Sequence, residues 1–372
     1  MNSLERHFDT DVLVVGGGPA GLAAAIAARR KGFRVVVADG SHPPIDKACG
    51  EGLMPEGAQA LQELGVSIPA GTGGVFCGIR FVGEGATVEA AFPSGHGIAI
   101  RRPVLHQLLV DAAIRAGVEL QWNAPVAGLM SDGALVGEDR VTCRWLIGAD
   151  GASSRVRRWA SLDRRMRNRE RYGFRLHYRC MPWTDKVEVH WGSEFQIYIT
   201  PTGPEEICVA LLCQDPHLRI PEALESFPEL GSRLAPCTPA SAERGGTSVT
   251  RKLWAVAQGN IALIGDASGS VDAITGDGLG LAFQQSLLLA DALAKGDLVS
   301  YEVAHRRLMR RPMLMGDLML AIDGRPNLQR YALDWFSRHP GTFRMLLALH
   351  TGQLNDSVRF LLSHAPSVAG QK

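Results

Sequence analysis

The hydrophobic pattern at the start of the chain predicts a strand, a tight turn, a helix and a second strand. Residues 12–15 are an unbroken apolar run, which is typical of a parallel strand covered on both faces. Residues 20–31 are rich in alanine and are followed by Gly32, which indicates a helix with a C-terminal stop. A second β-rich run covers residues 34–38 and ends at Asp39. The rest of the chain is expected to be organised around this unit.

Further along the chain, apolar runs end in a glycine and an acid at residues 145–151 and again at 261–267. Residues 172–213 alternate apolar and polar positions, which predicts a mostly antiparallel sheet. A long helix is expected over 281–294. After residue 300 the pattern is helical, and breaks are expected at Pro312, Pro326, Pro340 and Gly352.

Composition places the chain among ordinary globular proteins. It has 372 residues, of which 46% are apolar and 21% charged, and its net charge of +1 gives no reason to expect nucleic acid as a partner. Seven scattered cysteines without a C-x-x-C pair argue against a disulfide framework or a metal site and favour the cytoplasm. No secretory signal and no transmembrane run is predicted.

The turn after the first strand carries a dinucleotide-binding fingerprint. Gly16, Gly18 and Gly21 form G-x-G-x-x-G, in which the glycines allow a tight turn, a close approach to pyrophosphate and close helix packing. Asp39 follows 18 residues after Gly21, where the ribose hydroxyls of an adenine dinucleotide need an acceptor. An acid there favours FAD or NAD over NADP. Glycines that serve only packing are the alternative, but they do not explain Asp39.

Two other stretches allow two interpretations each. Cys49 is either a small buried hydrophobic residue or a residue at the edge of a cofactor. Nine arginines lie within residues 155–175. Such a run is usually a solvated helix face, and the alternative is a site for a phosphate-bearing partner such as NADPH or a phosphopantetheine carrier protein.

Three motifs stand in one order: GGGPAG with Asp39, GADGASSRVRR at 148–158, and ALIGDASGSVDAITGDGLGLAF at 262–283. Together they resemble the FAD-dependent oxidoreductases of the p-hydroxybenzoate hydroxylase and geranylgeranyl reductase superfamily. The resemblance implies a fold of the α/β class. It would be a glutathione-reductase-like (Rossmann-type) FAD-binding fold with an inserted antiparallel β-sheet substrate domain and a helical C-terminal region. The FAD domain would comprise residues 1–72, 98–171 and 245–300, the substrate domain 73–97 and 172–244, and the C-terminal helices 301–372.

The resemblance also implies a cofactor site. Arg102 would lie near the FAD phosphates, with Arg101 as the alternative, and Asp266 would bind the ribitol. NADH or NADPH would be a transient reductant. The residues expected to bind cofactor are Gly16, Gly18, Pro19, Ala20, Gly21, Asp39, Gly40, Cys49, Gly50, Arg102, Asp150, Gly151, Gly265, Asp266, Gly276, Gly278, Leu279 and Gly280.

The activity implied first is that of a single-component flavin monooxygenase that acts on a hydrophobic or aromatic small molecule through a flavin C4a-hydroperoxide. The alternative is an ene-reductase of the geranylgeranyl reductase type. CGEG at 49–52 and TGDG at 275–278 favour this alternative. Hydroxylases of this type usually carry a proline between the Gly-Asp motif and the last glycines, and here Ala273 stands where related reductases often have proline. A third hypothesis is a flavin-binding protein without turnover.

The candidates for catalysis are Cys49, Glu51, His177 and Tyr198, although His177 and Tyr198 are better explained as packed or hydrogen-bonded residues of the sheet. The C-terminal helices are expected to pack on the core. A peripheral lipid contact is their less favoured use.

Overall fold

The computed structural model describes residues 8–354, without the side chains of residues 165–168. The strands of this part of the chain are β1 (Thr10–Val15), β2 (Val35–Ala38), β3 (Gly52–Leu53), β4 (Gly74–Phe76), β5 (Gly78–Gly83), β6 (Ala86–Ala91), β7 (Gly97–Ala99), β8 (Glu119–Gln121), β9 (Val126–Met130), β10 (Gly133–Val136), β11 (Asp139–Gly148), β12 (Arg165–Arg179), β13 (Val187–Trp191), β14 (Phe195–Gly203), β15 (Glu206–Cys213), β16 (Thr238–Pro239), β17 (Arg244–Leu253), β18 (Ala257–Gln258) and β19 (Ile261–Leu263). The helices are α1 (Pro19–Arg30), α2 (Pro55–Glu63), α3 (Arg102–Arg115), α4 (Arg155–Trp159), α5 (Ile220–Leu224), α6 (Pro228–Leu234), α7 (Gly278–Lys295), α8 (Leu298–Ile322), α9 (Pro326–Arg338) and α10 (Pro340–His350).

The first sheet has the strand order β18-β19-β11-β1-β2-β8, and β1 is parallel to both of its neighbours. Val12 and Val14 pack into the core beneath α1, α3 and α7, whereas Leu13 and Val15 pack into the core on the opposite face. Burial on both faces is why residues 12–15 of β1 are continuously apolar. Because β1, β11 and β19 are parallel, their carboxyl ends meet at one edge of the sheet.

The second sheet has the order β16-β12-β15-β14-β13-β5-β6, with β17 added to β12. All its pairs are antiparallel except β13 with β5. Its strands β12 and β17 extend past the predicted boundaries at 171/172 and 244/245, because the two strands pair along almost their whole lengths. The division into domains, like the glutathione-reductase-like class, stays a prediction.

The C-terminal helices cover one end of the second sheet. Leu333 of α9 and Phe343 and Leu347 of α10 pack in one cluster with Ile79 and Val88. None of the helices in residues 8–354 has the length and apolar character needed to span a membrane. The prediction of further helix over 355–372 lies outside the described residues.

Pro312 does not break the helix, and this prediction was wrong. α8 is 25 residues long, continues past Pro312 to Ile322 and ends just before Gly324, whose φ of +70° suits glycine. A proline in a helix removes one hydrogen bond at a cost of about 3 kcal/mol. Pro312 is buried, so tertiary packing of the helix can offset that cost.

The arginine-rich stretch is not a solvated helix face. Its second half is strand β12, in which Arg171, Arg175 and His177 share one side by the two-residue period and are all buried. Arg157 is buried as well and pairs with Asp163. A phosphate-bearing partner stays a prediction for the exposed part of the stretch.

One pair of cysteines was also missed. Cys180 and Cys237 form a disulfide, with their Cα atoms 5.2 Å apart. The sequence offered no signal for this pair, because 57 residues separate its members and neither cysteine belongs to a spacing motif.

Arg171 joins the second sheet to the end of α8 through a buried ion pair with Asp323, and both side chains are at most 1% exposed. Asp323→Ala should lower the free energy of unfolding by about 3–5 kcal/mol, because it removes the closer of the two buried acids that pair with Arg171 and leaves only Asp272, at 3.6 Å. Urea unfolding followed by circular dichroism measures this change.

The control is Asp334→Ala, which removes an exposed partner of Arg338 and should cost less than about 1 kcal/mol. Equal losses in the two variants would contradict a structural role for the Arg171–Asp323 pair.

Candidate active site

A cavity of about 1120 Å³ lies between the carboxyl edge of the first sheet, the second sheet and helices α8–α10. Most of the residues predicted for the site line it. The exceptions are Gly21, Gly280 and His177. The structure therefore brings motifs that are more than 200 residues apart in sequence around one space.

The glycine turn forms one end of the cavity. The backbone N–H of Gly17 donates to Oδ2 of Asp39 at 2.6 Å, so the acid is tied to the turn. A side chain on Gly21 would collide with the carbonyl oxygen of Gly16, whereas one on Gly18 would meet no atom within 4 Å. Gly21 therefore serves the packing of α1, and Gly18 faces open space where a pyrophosphate can approach the backbone.

The two neighbouring arginines at the start of α3 have different surroundings. Arg101 forms an ion pair with Glu206. Arg102 lines the cavity, and its Nε is buried without a hydrogen-bond partner among residues 8–354. An unpaired buried guanidinium nitrogen is costly. Arg102, and not Arg101, is thus the arginine that can receive an anionic ligand.

The acids of the other two motifs also reach the cavity. Asp150 accepts hydrogen bonds from the backbone of Arg155 at 2.6 Å and Val156 at 3.1 Å, so it caps α4 as well as lining the cavity. Asp266 is exposed on the cavity wall. Gly276, with φ of +72°, turns the chain so that α7 begins at the cavity. A helix N-terminus at this place favours negative charge on a ligand.

Glu51 is the most constrained of the predicted catalytic residues. It has φ of +61°, which is unfavourable for a residue with a side chain, and its side chain is fully buried. Its carboxylate lies 2.5 Å from Nε2 of His177 and accepts a hydrogen bond from the backbone of Arg102 at 2.9 Å. Arg175 lies 3.7 Å from the same carboxylate. Strained backbone of this kind persists where the surrounding contacts hold it, often at functional sites.

His177 lies behind the cavity wall, where Glu51 and Ser241 hold both of its ring nitrogens. It therefore does not contact the cavity directly. Glu51, His177 and Cys208 offer three metal-ligating atoms within 4.8 Å of one another. Burial raises the pKa of Cys208 well above its usual value, which disfavours a thiolate ligand, and Arg175 already supplies the positive charge.

The other end of the cavity is apolar. Tyr198 lies at the junction between this apolar end and the end formed by the glycine turns. Its hydroxyl donates to the carbonyl oxygen of Ile274 at 3.3 Å. Burial raises the pKa of Tyr198 well above its usual value, so the phenol stays protonated. The side chains that form the apolar walls are those of Ile79, Phe81, Val88, Val187, Val189, Leu333, Phe336, Phe343 and Leu347.

Sequence reasoning missed several residues of this site. Asp46 binds Arg175 at 2.5 Å, and Asp272, which is buried, accepts a hydrogen bond from Thr250 at 2.8 Å. His350, on the last helix, also lines the cavity. None of them belongs to a spacing motif. The only available signal was the two-residue period of the arginines in β12, which marks a strand that needs buried acids opposite it.

A profile described as "FAD binding domain" matches residues 9–197, just over half of the chain. The chain belongs to this family of FAD-dependent oxidoreductases. The resemblance inferred from the three motifs is thereby confirmed, and the protein is an enzyme that uses FAD.

Curated relatives of known name share most of the chain. A menaquinone reductase of Mycobacterium tuberculosis is 31% identical over 323 residues, which cover 77% of each chain. A digeranylgeranylglycerophospholipid reductase of Methanocaldococcus jannaschii is 26% identical over 306 residues, again 77% of each. A Rhodococcus erythropolis protein named "Probable 2-heptyl-3-hydroxy-4(1H)-quinolone synthase" is 27% identical over 334 residues, 81% of this chain and 84% of that protein.

Solved structures share the fold. A flavoprotein/dehydrogenase of Cytophaga hutchinsonii superposes with a TM-score of 0.80 at 19% identity and covers 96% of each chain. A geranylgeranyl bacteriochlorophyll reductase-like protein of Thermoplasma acidophilum superposes with a TM-score of 0.73 at 22% identity, covering 87% of this chain and 90% of that one. At these identities the likeness shows an α/β FAD-binding fold.

The donors around the cavity fit FAD. Asp39 can accept from the ribose, the open backbone at Gly18 and the unpaired Arg102 suit the pyrophosphate, and the N-terminus of α7 suits the electron-rich edge of the flavin. These individual contacts are proposals.

Arg102→Ala should weaken FAD binding about tenfold, which corresponds to about 1.4 kcal/mol, because a charge-assisted contact to phosphate is lost. Fluorescence titration of the apoprotein with FAD measures the dissociation constant. Arg115→Ala, at the exposed far end of α3, is the matched control and should bind FAD normally. Unchanged affinity in Arg102→Ala would remove this residue from the proposed site.

Proposed function

We propose that the protein is an FAD-dependent reductase that saturates a carbon–carbon double bond in a substrate with a long apolar chain. The main support for this proposal is the apolar half of the cavity. It continues from the proposed flavin site between the second sheet and helices α8–α10. Together with the names of two relatives, this observation supports the ene-reductase hypothesis over the monooxygenase hypothesis that the sequence favoured.

The size and lining of the cavity support this proposal. About 1120 Å³ exceeds the roughly 300–1,000 Å³ of a pocket for one drug-sized ligand, so a dinucleotide and a second molecule can share it. The apolar walls are aromatic and aliphatic side chains from β5, β6, β13, α9 and α10. A charged or strongly polar substrate would lose its hydration there without compensation. The substrate expected is therefore a hydrophobic small molecule with a polar group at one end only.

The names of the relatives agree with this chemistry. Menaquinone reductase and digeranylgeranylglycerophospholipid reductase are both named as reductases. The CGEG segment, which resembles that of the reductase branch, brings Cys49 and Glu51 to the cavity. Cys49 lies beside Glu51, whose backbone N–H is 3.3 Å from the Cys49 sulfur.

FAD supplies the two-electron redox chemistry when it is bound. The residues of this chain position it and the substrate. Glu51 holds the CGEG segment against His177 and the start of α3, which shapes the middle of the cavity. Tyr198 stays neutral and is oriented by Ile274, so it can place the polar end of a substrate at the junction. NADH or NADPH is the proposed source of electrons.

The second candidate is a flavin monooxygenase for a hydrophobic or aromatic substrate. The Rhodococcus erythropolis relative favours it, since its name is that of a hydroxyquinolone synthase. The same apolar walls would exclude water from an oxygen reaction. Oxygen dependence separates the two candidates.

Anaerobic incubation of the reduced enzyme with a polyprenyl quinone, followed by chemical reoxidation of any quinol to the quinone, should yield a product two mass units heavier, because saturation of a side-chain double bond adds two hydrogen atoms that reoxidation does not remove and needs no oxygen. Mass spectrometry of extracted substrate detects the product. Protein reduced without added substrate serves as the control. Product that forms only after air is admitted, with a mass gain of one oxygen atom, would establish the monooxygenase instead.

Val189→Phe should shorten the apolar half of the cavity, because Val189 is 3% exposed and lines it. We expect KM for a long-chain substrate to rise about tenfold or more while a short-chain analogue is little affected, since overpacking costs about 1–3 kcal/mol. Val303→Phe, at an exposed position of α8, is the control. Equal effects on both chain lengths would argue against chain binding in this part of the cavity.

A further inference from the structure

A second, much smaller cavity adjoins the main one behind the glycine turn at 276–280. Its volume is about 10 Å³, which is close to that of a single water molecule measured in the same way. Glu56 and Arg311 line only this small cavity, whereas Asp277 and His350 line both cavities. The small cavity therefore connects a group of charged side chains to the place where the flavin site and the apolar chamber meet.

Residues that line the small cavity carry buried polar atoms without hydrogen-bond partners, although Oε1 of Glu56 lies 3.7 Å from Nη2 of Arg311 in an ion pair. Oε1 of Glu56, Nε of Arg311 and Nδ1 of His350 are buried, and none has a hydrogen-bond partner among residues 8–354. Buried polar atoms are rarely left unpaired, and a water molecule in such a site usually makes two to four hydrogen bonds. Three such atoms around a water-sized space are thus the arrangement expected of a water-binding site.

His350 is fixed in a way that suits a relay. Its Nε2 lies 3.1 Å from the carbonyl oxygen of Thr275 and 3.5 Å from Oδ2 of Asp277, and its side chain is only 10% exposed. Nδ1 is the free nitrogen, and His350 belongs to the wall of both cavities. An imidazole can accept a proton at one ring nitrogen and release a proton at the other.

The exposed fraction of the side chain is largest for Glu56, which lines only the small cavity, and smaller for Asp277 and His350, which also line the main cavity. The side chain of Glu56 is 23% exposed, that of Asp277 14% and that of His350 10%. Glu56 thus has access to solvent at one side and to the small cavity at the other. Burial raises the pKa of Glu56 to about 7, helped by the nearby Asp277 and opposed by Arg311. Burial also raises the pKa of Asp277, while His350 and Arg311 oppose that change.

We propose that Glu56, one water molecule in the small cavity and His350 form a path that carries protons from solvent into the main cavity at residues 275–277. The inference rests on the proposed function, which it deepens by naming the source of a proton. Glu56 acts through His350 and does not itself contact the substrate.

The stoichiometry of the proposed reaction requires such a source. Saturating one double bond breaks a carbon–carbon π bond and forms two C–H bonds, which consumes two electrons and two protons. A reduced nicotinamide is oxidised and provides both electrons and one proton. The second proton comes through Glu56 and His350. Glu56 then regains its proton from solvent, because its side chain is partly exposed.

The first test needs no substrate. Infrared difference spectra of the holoenzyme across pH should show a protonated carboxyl group that titrates with a midpoint of about 7. Glu56→Gln should abolish this signal. Glu63 is an acid on the same helix, and Glu63→Gln should keep the signal. A signal that persists in Glu56→Gln would overturn the assignment of the acid.

The second test follows reduction of the bound flavin by dithionite in H2O and in D2O. Two-electron reduction of a flavin takes up a proton, and the proposed path ends beside the proposed flavin site, so the flavin can receive this proton in place of the substrate. The test depends on neither nicotinamide nor substrate. At neutral pH Glu56→Gln should slow proton-coupled reduction about tenfold or more and raise the solvent isotope effect, because a positioned proton donor is lost. The wild-type rate should fall as pH rises above about 7, where Glu56 is deprotonated, and the variant should lose this dependence. Glu56→Asp should recover part of the rate.

His350→Gln should reproduce the slow reduction while keeping the infrared signal of Glu56. A normal rate in either His350→Gln or Glu56→Gln would overturn the path. Failure of the proposed function is seen separately, as absence of an anaerobic product with wild-type enzyme, since neither of the two tests above uses a substrate.

Discussion

One buried carboxylate, that of Glu51, joins the parts of the structure on which the site depends. It receives a hydrogen bond from the first residue of α3 and binds His177 of the second sheet, with Arg175 nearby. The segment before β3 is thereby fixed between the dinucleotide unit and the sheet. Removing a buried charge from such a group leaves its partners uncompensated, which is far more costly than losing a surface pair. The positive φ of Glu51 is tolerated because these contacts determine its position.

The elements that depend on local pattern were predictable from the sequence. β1 and α1 follow from a continuous apolar run, a glycine turn and an alanine-rich helix, because each feature has a direct steric or hydration cause. The convergence of the three motifs at one edge followed from parallel strands of the first sheet. Strand β12 was misjudged, since a run of arginines is usually solvated, and here the strand buries two of them against acids that lie far away in sequence.

The polar interior could not be predicted, because its partners meet only through tertiary structure. Asp323 terminates α8 and pairs with Arg171 across 152 residues, and His350 reaches Thr275 across 75. Neither Asp323 nor His350 belongs to a sequence motif. From residue type alone, each would be expected at the protein surface. At Pro312 a local signal was misleading because tertiary packing overrides it. A proline is unfavourable inside a helix, yet the packing of the long helix α8 outweighs that cost.

The distribution of polarity along the cavity restricts the chemistry more than any single residue does. Hydrogen-bonding groups cluster at the glycine turns and at 275–277, whereas the walls beyond Tyr198 are hydrocarbon. A substrate with a long apolar chain gains free energy by placing that chain beyond Tyr198, at about 25 cal/mol per Å² of apolar surface removed from water. In the proposed reaction its reactive group would then lie beside the proposed flavin site and the water-sized cavity. Under that proposal, binding the chain and presenting the double bond to electrons and protons are the same event.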